Sequence, residues 1–354
     1  MENVCVKMED IAKQANVSKS AVSLALNGKP GISEDTRERI IKIAQESGYI
    51  TKRRAAPAQE RPLSSLLFLV CANSGIVLEQ YYQQPFFREL IHYIEERCRS
   101  KGYSLQFTSL DTESLEQNIK SLSEDNRNSG VILLGTNLSR EQIVSIAEQL
   151  PHLVVLDTSF ETLPIPFVEI NNVMGAYQAG SYLYEIGHRE IGYVASNVRI
   201  HNFNSRKRGF MSALQDRELT IPDNRIFSVA PTILYSQESM REQLQLYLQE
   251  NGNLPTALFC ECDYIAISAM KTLSELGFRV PEDVSVIGFD NITESMVISP
   301  ELTTIHVEKE KMAQVAVDLL IERINEGLNV TTKTTIDTKF IERLSCRAPA
   351  SHSQ

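Results

Sequence analysis

Residues 10 to 27, Asp10-Ile-Ala-Lys-Gln-Ala-Asn-Val-Ser-Lys-Ser-Ala-Val-Ser-Leu-Ala-Leu-Asn27, are the part of this chain whose types and spacing point most directly to a chemistry: reading duplex DNA. The spacing predicts two short helices joined by a tight turn, a shape that sets the second helix into the major groove. Ile11, Ala12 and Ala15 fall on one face of the first helix, and Val22, Ala25 and Leu26 on the inner face of the second, as helical periodicity requires. Val17 plugs the turn. Ser18 can cap the second helix by accepting a bond from a free backbone N–H, and Asn27-Gly28 suits a left-handed C-terminus. A third helix is predicted from Ser33, with Glu34 and Asp35 at the positive end of its dipole, Ile40, Ile43 and Ala44 on its buried side, and Gly48 at its end.

Other chemistries find little support. Cys260-Glu-Cys262 is the one close cysteine pair; a single intervening residue is not zinc-ribbon spacing and no histidine lies nearby, so no metal is expected. His92, His152, His188, His201, His306 and His352 are dispersed without an obvious carboxylate partner, and Gly-x-Gly-x-x-Gly is absent, as are a phosphate loop and a nucleophile elbow. The residues therefore argue against an enzyme and call for no cofactor. A solute-binding protein would share the body described below but needs export and no DNA-reading head. Binding to mixed DNA that falls steeply with salt separates a reader from both alternatives.

These residues must be carried by something larger, for 354 residues suit a head plus one large two-lobed domain. The net charge of -10 conceals an asymmetry: residues 1–54 carry ten Lys/Arg against seven Asp/Glu, leaving 25 against 38 for the remainder. A basic head on an acidic body fits a phosphate backbone attracted to one and repelled by the other. No apolar run approaches the roughly 20 residues that cross a bilayer, and no signal-peptide core opens the sequence, so a cytoplasmic protein without membrane contact is expected.

After the head, taken as 1–51, residues 52–65 have the charged, Ala- and Pro-containing composition of a hinge or linker. From 66 to 345, apolar runs recur between amphipathic stretches: Leu66–Val70, Val131–Leu134, Leu153–Leu156, Ile191–Ala195, Ala257–Cys260 and Val284–Phe289. Continuous rather than alternating runs mark strands covered on both faces, hence parallel sheets flanked by helices. The pattern predicts a small all-α helix-turn-helix head followed by an α/β body of two doubly wound lobes, about 66–165 and 166–290. A long helix (about 308–326), a last strand and a tail at 346–354 complete the chain. In such sheets the crevice lies beyond the carboxyl ends of the strands, so two facing lobes make a ligand cleft.

Along nearly its whole length the chain resembles the LacI (lactose and galactose repressor) family. The resemblance rests on the head motif, Gly102-Tyr103, Asn171-Asn-x-x-Gly175, Gly187-His188-x-x-Ile191-Gly192 and Arg206-x-x-Gly209-Phe210. It continues through Val280-Pro-Glu-Asp-Val-Ser-Val-Ile-Gly-Phe-Asp290 and Ser299-Pro-Glu-Leu-Thr-Thr-Ile305. It implies lobes of periplasmic-binding-protein type, a homodimer, a double-stranded operator as partner, and a small effector, carbohydrate-like by family frequency, that controls operator affinity from the cleft.

Carried over from the family, Lys19, Ser20 and Leu24 are the base-facing positions. Lys19 donates either to guanine or to a phosphate, and Leu24 meets either a thymine methyl or the head's own core. Lys7, Lys29, Arg37 and Arg39 are expected as phosphate contacts or solvated charges. The hinge departs from type: Thr51 replaces the usual proline, Pro57 interrupts the expected helix at a cost of roughly 3 kcal/mol, and Ala58 stands where relatives carry a wedging leucine. A hinge that does not intercalate is expected, with Lys52, Arg53 and Arg54 holding phosphates or entering a narrow minor groove. In the body the resemblance points to Phe86 and Phe87 for stacking, Arg206 and Asn204 for gripping polar groups, and Asp263 and Asp290 as acceptors. Core packing remains the alternative for the phenylalanines, and a turn or cap for Asp290. Cys262 stands where relatives often have Asn.

Overall fold

The computed structural model describes residues 7–26, 29–47, 65–72, 76–77, 80–111, 115–125, 130–231, 236–326 and 330–349. Asn27, Gly28, Gly48, Thr51, Lys52, Arg53, Arg54, Pro57 and Ala58 lie outside these, so the expected ends of the second and third helices and the hinge expectations rest on the sequence alone. The chain divides into two compact units, 1–63 and 64–354.

The first unit holds helices α1 (Met8–Ala15), α2 (Lys19–Leu26) and α3 (Glu34–Glu46). The Asp10 carboxylate accepts the Lys7 backbone N–H at 2.8 Å, and α1 ends at Asn16, whose φ of 53° lets the chain turn sharply. Ser18 Oγ accepts from the Ala21 N–H at 3.1 Å and so starts α2. Ile11, Ala15, Val22, Ala25, Ile40 and Ala44 form the buried core, with Val17 against it. Arg37, expected as a phosphate contact or a solvated charge, is instead turned inward: its guanidinium donates to Lys29 O at 2.7 Å and Leu24 O at 3.4 Å, occupying carbonyls that follow or close α2.

The second unit runs β1 (Ser65–Ala72), α4 (Pro85–Ser100), β2 (Ser104–Asp111), α5 (Leu115–Asp125), β3 (Gly130–Leu134), α6 (Arg140–Gln149), β4 (Leu153–Leu156), β5 (Phe167–Ile170), α7 (Asn172–Glu185), β6 (Ile191–Ser196), α8 (His201–Gln215) and β7 (Ile226–Val229). It continues through α9 (Ser236–Asn251), β8 (Ala257–Cys260), α10 (Asp263–Glu275), β9 (Ser285–Ile287), β10 (Thr304–His306), α11 (Lys309–Glu326), β11 (Lys333–Ile336) and β12 (Lys339–Ile341). Lobe one is a parallel sheet in the order β11-β5-β4-β3-β1-β2, and lobe two a parallel sheet in the order β7-β6-β8-β9. Every residue of β3, β4 and β8 is buried, as their unbroken apolar runs predict.

Two boundaries differ from the sequence reading. β5, placed by sequence at the head of lobe two, pairs with β4 and with β11 in lobe one, because a short apolar run carries no mark of which sheet will take it. The end of the chain supplies two strands instead of one, since β12 pairs antiparallel with β10. Beyond them Arg347 bonds through its backbone to Ser285 and His188, so residues 346–349 pack on lobe two. The chain passes between lobes at Ile170–Asn171, His306–Lys309 and Ile336–Lys339. Helices α7 and α8 meet at Gly209, where a Cβ would stand 2.1 Å from Val173 O.

Candidate functional site

Beyond the carboxyl ends of both sheets lies a small cavity with walls from each lobe. Lobe one contributes Gln84, Phe86 and Phe87 from the start of α4, and Thr136 and Asp157 from the loops that follow β3 and β4. Lobe two contributes Ile200, Asn202, Phe203 and Arg206 from the start of α8, Cys262 and Tyr264 after β8, and Asp290 after β9. The placement follows from topology: every strand of a parallel sheet delivers its following loop to the same edge.

A hydrogen-bond chain runs across this cleft. Asp157, 2 % exposed, accepts the Thr136 hydroxyl at 2.6 Å within lobe one and the Asn202 amide at 3.0 Å from lobe two. Asn202 in turn accepts from the Asn172 amide at 3.2 Å, whose oxygen accepts from Arg206 Nε at 2.9 Å. Arg206 Nη1 donates to Glu261 O at 2.6 Å, and Nη2 stands 3.0 Å from Asp290 Oδ1. The guanidinium lies 3.7 Å over the Phe289 ring. A second link joins the lobes where the Phe86 N–H donates to the Tyr264 hydroxyl at 3.1 Å. Burial pushes the Asp157 carboxyl up to about 6 against the pull of Thr136 and Arg206. It also raises Asp290, which Arg206 and Lys309 draw back down.

The candidates named from the sequence divide on this geometry. Phe86, Phe87, Arg206 and Asp290 line the cavity, and the two phenylalanines serve the core as well, meeting edge to face at 5.5 Å. Asn204 does not: it is exposed, and its side-chain oxygen accepts from Arg199 at 3.0 Å, because it sits on the outer face of α8. Asp263 does not either. Its carboxylate accepts the Ile292 N–H at 2.9 Å and the Thr304 hydroxyl at 2.6 Å, and burial pushes it up to about 7, so it fastens the turn that carries Asp290. Asp157, Asn202, Phe203 and Tyr264 are lining residues that the sequence reading misses. Asp157 follows an apolar run just as Asp290 does, and Asn202 lies one helical turn before Arg206, so both signals are present.

On the head, Ser18, Lys19 and Ser20 are exposed at the start of α2, while Leu24 is half-buried one turn on. The Ser18 hydroxyl is engaged as the helix cap, and Lys19 Nζ stands 2.7 Å from Glu9 Oε1. Among the described residues no cluster of His, Cys, Asp and Glu could hold a metal ion, and no helix is long and apolar enough to cross a membrane.

Comparison with known proteins bears on both sites. Residues 7–52 match the family described as bacterial regulatory proteins, lacI family, and residues 181–346 match a periplasmic binding protein-like domain. The chain is 31 % identical over 323 residues to the HTH-type transcriptional repressor PurR of Pasteurella multocida (strain Pm70), covering 90 % of this chain and 92 % of that one. It is 29 % identical over 348 residues to PurR of Haemophilus influenzae (strain PittEE), covering 96 % and 98 %. In structure it is similar to the transcriptional regulator CelR in complex with cellobiose (TM-score 0.69, 23 % identity, covering 96 % and 99 %). It is also similar to the lac repressor dimer bound to operator and the anti-inducer ONPF (TM-score 0.69, 22 % identity, covering 97 % and 99 %).

Proposed function

Because the chain belongs to the lacI family of bacterial regulatory proteins, and is a DNA-binding transcriptional repressor of that family, we propose that an uncharged, hydroxyl-bearing small molecule, a sugar or sugar derivative, occupies the interlobe cavity and controls operator affinity. The observation that carries this reading is the convergence of Asp157, Asn202, Arg206 and Asp290 on a cavity that also has aromatic walls. Two buried carboxylates accept hydroxyl protons and disfavour a carboxylate or phosphate ester, while Phe86 and Phe203 offer faces to the apolar side of a sugar ring. The same faces suit a nucleobase, which is the second reading. Two heads of a dimer then read half-sites about one helical turn apart. Closure on the effector alters operator affinity, and a coupling of about 1–3 kcal/mol corresponds to roughly 5- to 150-fold.

A thermal-shift screen of sugars, nucleosides, nucleobases and organic acids tests this. A ligand at 100 times its dissociation constant adds about 2.7 kcal/mol of stability. Sugar hits that vanish in Arg206→Ala and Asp290→Ala support the reading; hits confined to nucleobases move it to the second; hits confined to organic acids overturn the charge argument. Removal of residues 1–62 should leave a body that binds the hit without binding operator.

A further inference from the structure

We propose that Glu9 is a specificity-setting positioning residue of the DNA-reading head, holding the Lys19 ammonium so that it serves base edges in preference to phosphates. This rests on the DNA-reading function of the head. The observation is an ion pair between two helices: Glu9 Oε1 on α1 and Lys19 Nζ at the start of α2 stand 2.7 Å apart, with side chains 61 % and 62 % exposed. Lys19 is the single charged residue of α2, whose sequence is Lys-Ser-Ala-Val-Ser-Leu-Ala-Leu.

The consequence follows from what each target demands. Phosphate attraction acts at long range and without regard to sequence, so an unpaired lysine at the front of the recognition helix would strengthen binding to every duplex alike. A carboxylate 2.7 Å from that lysine cancels its net charge as seen from a distance. It also carries its own negative charge toward any phosphate the lysine approaches. Hydrogen bonds to guanine O6 or N7 depend on short-range geometry instead. They need only one or two of the three ammonium protons, leaving another for Glu9. The pair therefore lowers the sequence-independent part of the affinity more than the sequence-dependent part. Lys7, just before α1, and Asp10 on it lie either side of Glu9 with opposite signs, so Lys19 is its distinctive partner.

The test uses the full chain. Wild type first enriches a duplex from a random pool, and that duplex and mixed-sequence duplex are then titrated across potassium chloride concentrations with wild type, Glu9→Gln, Glu9→Asp, Lys19→Met and the Glu9→Gln/Lys19→Met double variant. Glu9→Gln should bind mixed DNA about two- to fivefold more tightly at low salt, the range expected of an exposed ion pair. Its salt dependence should steepen by about 0.9, one further phosphate contact, and its preference for the enriched duplex should shrink. Glu9→Asp should restore the preference, and in the Lys19→Met background Glu9→Gln should change neither slope nor preference. Equal slopes and preferences for wild type and Glu9→Gln overturn the proposal alone, as does an undiminished effect without Lys19. A wild type that enriches no duplex overturns the DNA-reading premise beneath it.

Discussion

Replacing Arg206 by methionine tests the centre of the interlobe network. Arg206 is 3 % exposed and meets three acceptors through three different nitrogens: the Asn172 side chain, the Glu261 carbonyl and the Asp290 carboxylate. Methionine keeps much of the stem that packs on Phe289 but leaves a buried carboxylate without its nearest cation, a loss of about 3–5 kcal/mol. The orphaned Asn172 and Glu261 oxygens add to it, at about 1–3 kcal/mol each. Two effects offset these: Lys309 Nζ lies 3.1 Å from Asp290 O and supplies remaining positive charge, and Asp290 can take up a proton. With these offsets the expected net loss is about 4 kcal/mol at neutral pH, somewhat below the smallest sum of those costs. Its pH dependence has a definite sign. Arg206 holds the Asp290 carboxyl down against burial, so without it that carboxyl protonates at higher pH, and the deficit narrows as pH falls through the variant's own value. Adding Asp290→Asn removes the stranded charge and should recover about 1–3 kcal/mol. Urea unfolding of the full chain, followed by tyrosine fluorescence because the sequence contains no tryptophan, reads each value. A loss under about 1 kcal/mol, unchanged between pH 5 and 8, would refute the claim that a buried guanidinium balances Asp290.

Three further outcomes follow from the same contacts. The carboxyls of Asp157 and Asp263, pushed up to about 6 and about 7, bind protons more tightly folded than unfolded. Their contribution is complete below the ordinary carboxylate value near 4 and is lost as pH rises through 6 and 7. Asp157→Asn should therefore gain stability relative to wild type as pH rises from 5 to 7; denaturation curves showing a constant difference would contradict this. Gly209→Ala forces a methyl onto the Val173 carbonyl and should cost about 3 kcal/mol, since backbone cannot step aside as a side chain can; thermal unfolding measures it, and a loss below about 0.5 kcal/mol would deny the close approach of α7 and α8. Arg37→Ala should destabilise the head by about 1–2 kcal/mol through lost bonds to Lys29 and Leu24 carbonyls. It should leave the salt dependence of DNA binding unchanged, whereas loss of a phosphate contact would shallow it by about 0.9.

How far the sequence could be read depended on the range of the interaction involved. The helices and core of the head were legible because their signals are local: Ser18 caps three residues ahead, and Ile11, Ala15, Val22 and Ala25 meet through helical spacing alone. Strands β3, β4 and β8 were legible because burial on both faces leaves an unbroken apolar run. Asp290 was named from the family resemblance, and its place directly after a parallel strand agrees with a position at the cleft edge. Asp263 stands at an equally promising place, yet its carboxylate is claimed by Thr304 and Ile292, 41 and 29 residues onward, and nothing near Asp263 announces partners at that distance. Arg37 is the same case on a smaller scale, a surface-like residue drawn inward by carbonyls 8 and 13 residues away. β5 escaped because strand partnership with β11, some 166 residues later, is settled by the return of the chain to lobe one.

The turn at Asp290 shows why a ligand in this cavity would act on more than its own contacts. Asp290 has φ 117° and Asn291 φ 50°, left-handed conformations that cost a non-glycine residue about 1–3 kcal/mol each unless the surroundings over-determine them. Here the surroundings do. Asp263 holds the Ile292 N–H, Arg343 donates to Asn291 Oδ1 at 2.7 Å, Lys309 donates to Asp290 O, and the Asp290 N–H donates to Ile305 O at 2.8 Å. Ile305 and Lys309 flank one passage between the lobes, and Lys309 also pairs with Glu89 on α4 at 3.1 Å. A group that engages the Asp290 carboxylate thus pulls on a turn already tied to both lobes. Moving that turn requires either breaking several bonds together or moving the passage with it. On the proposed effector reading, a ligand at Asp290 would therefore be felt at the passage between the lobes through Lys309.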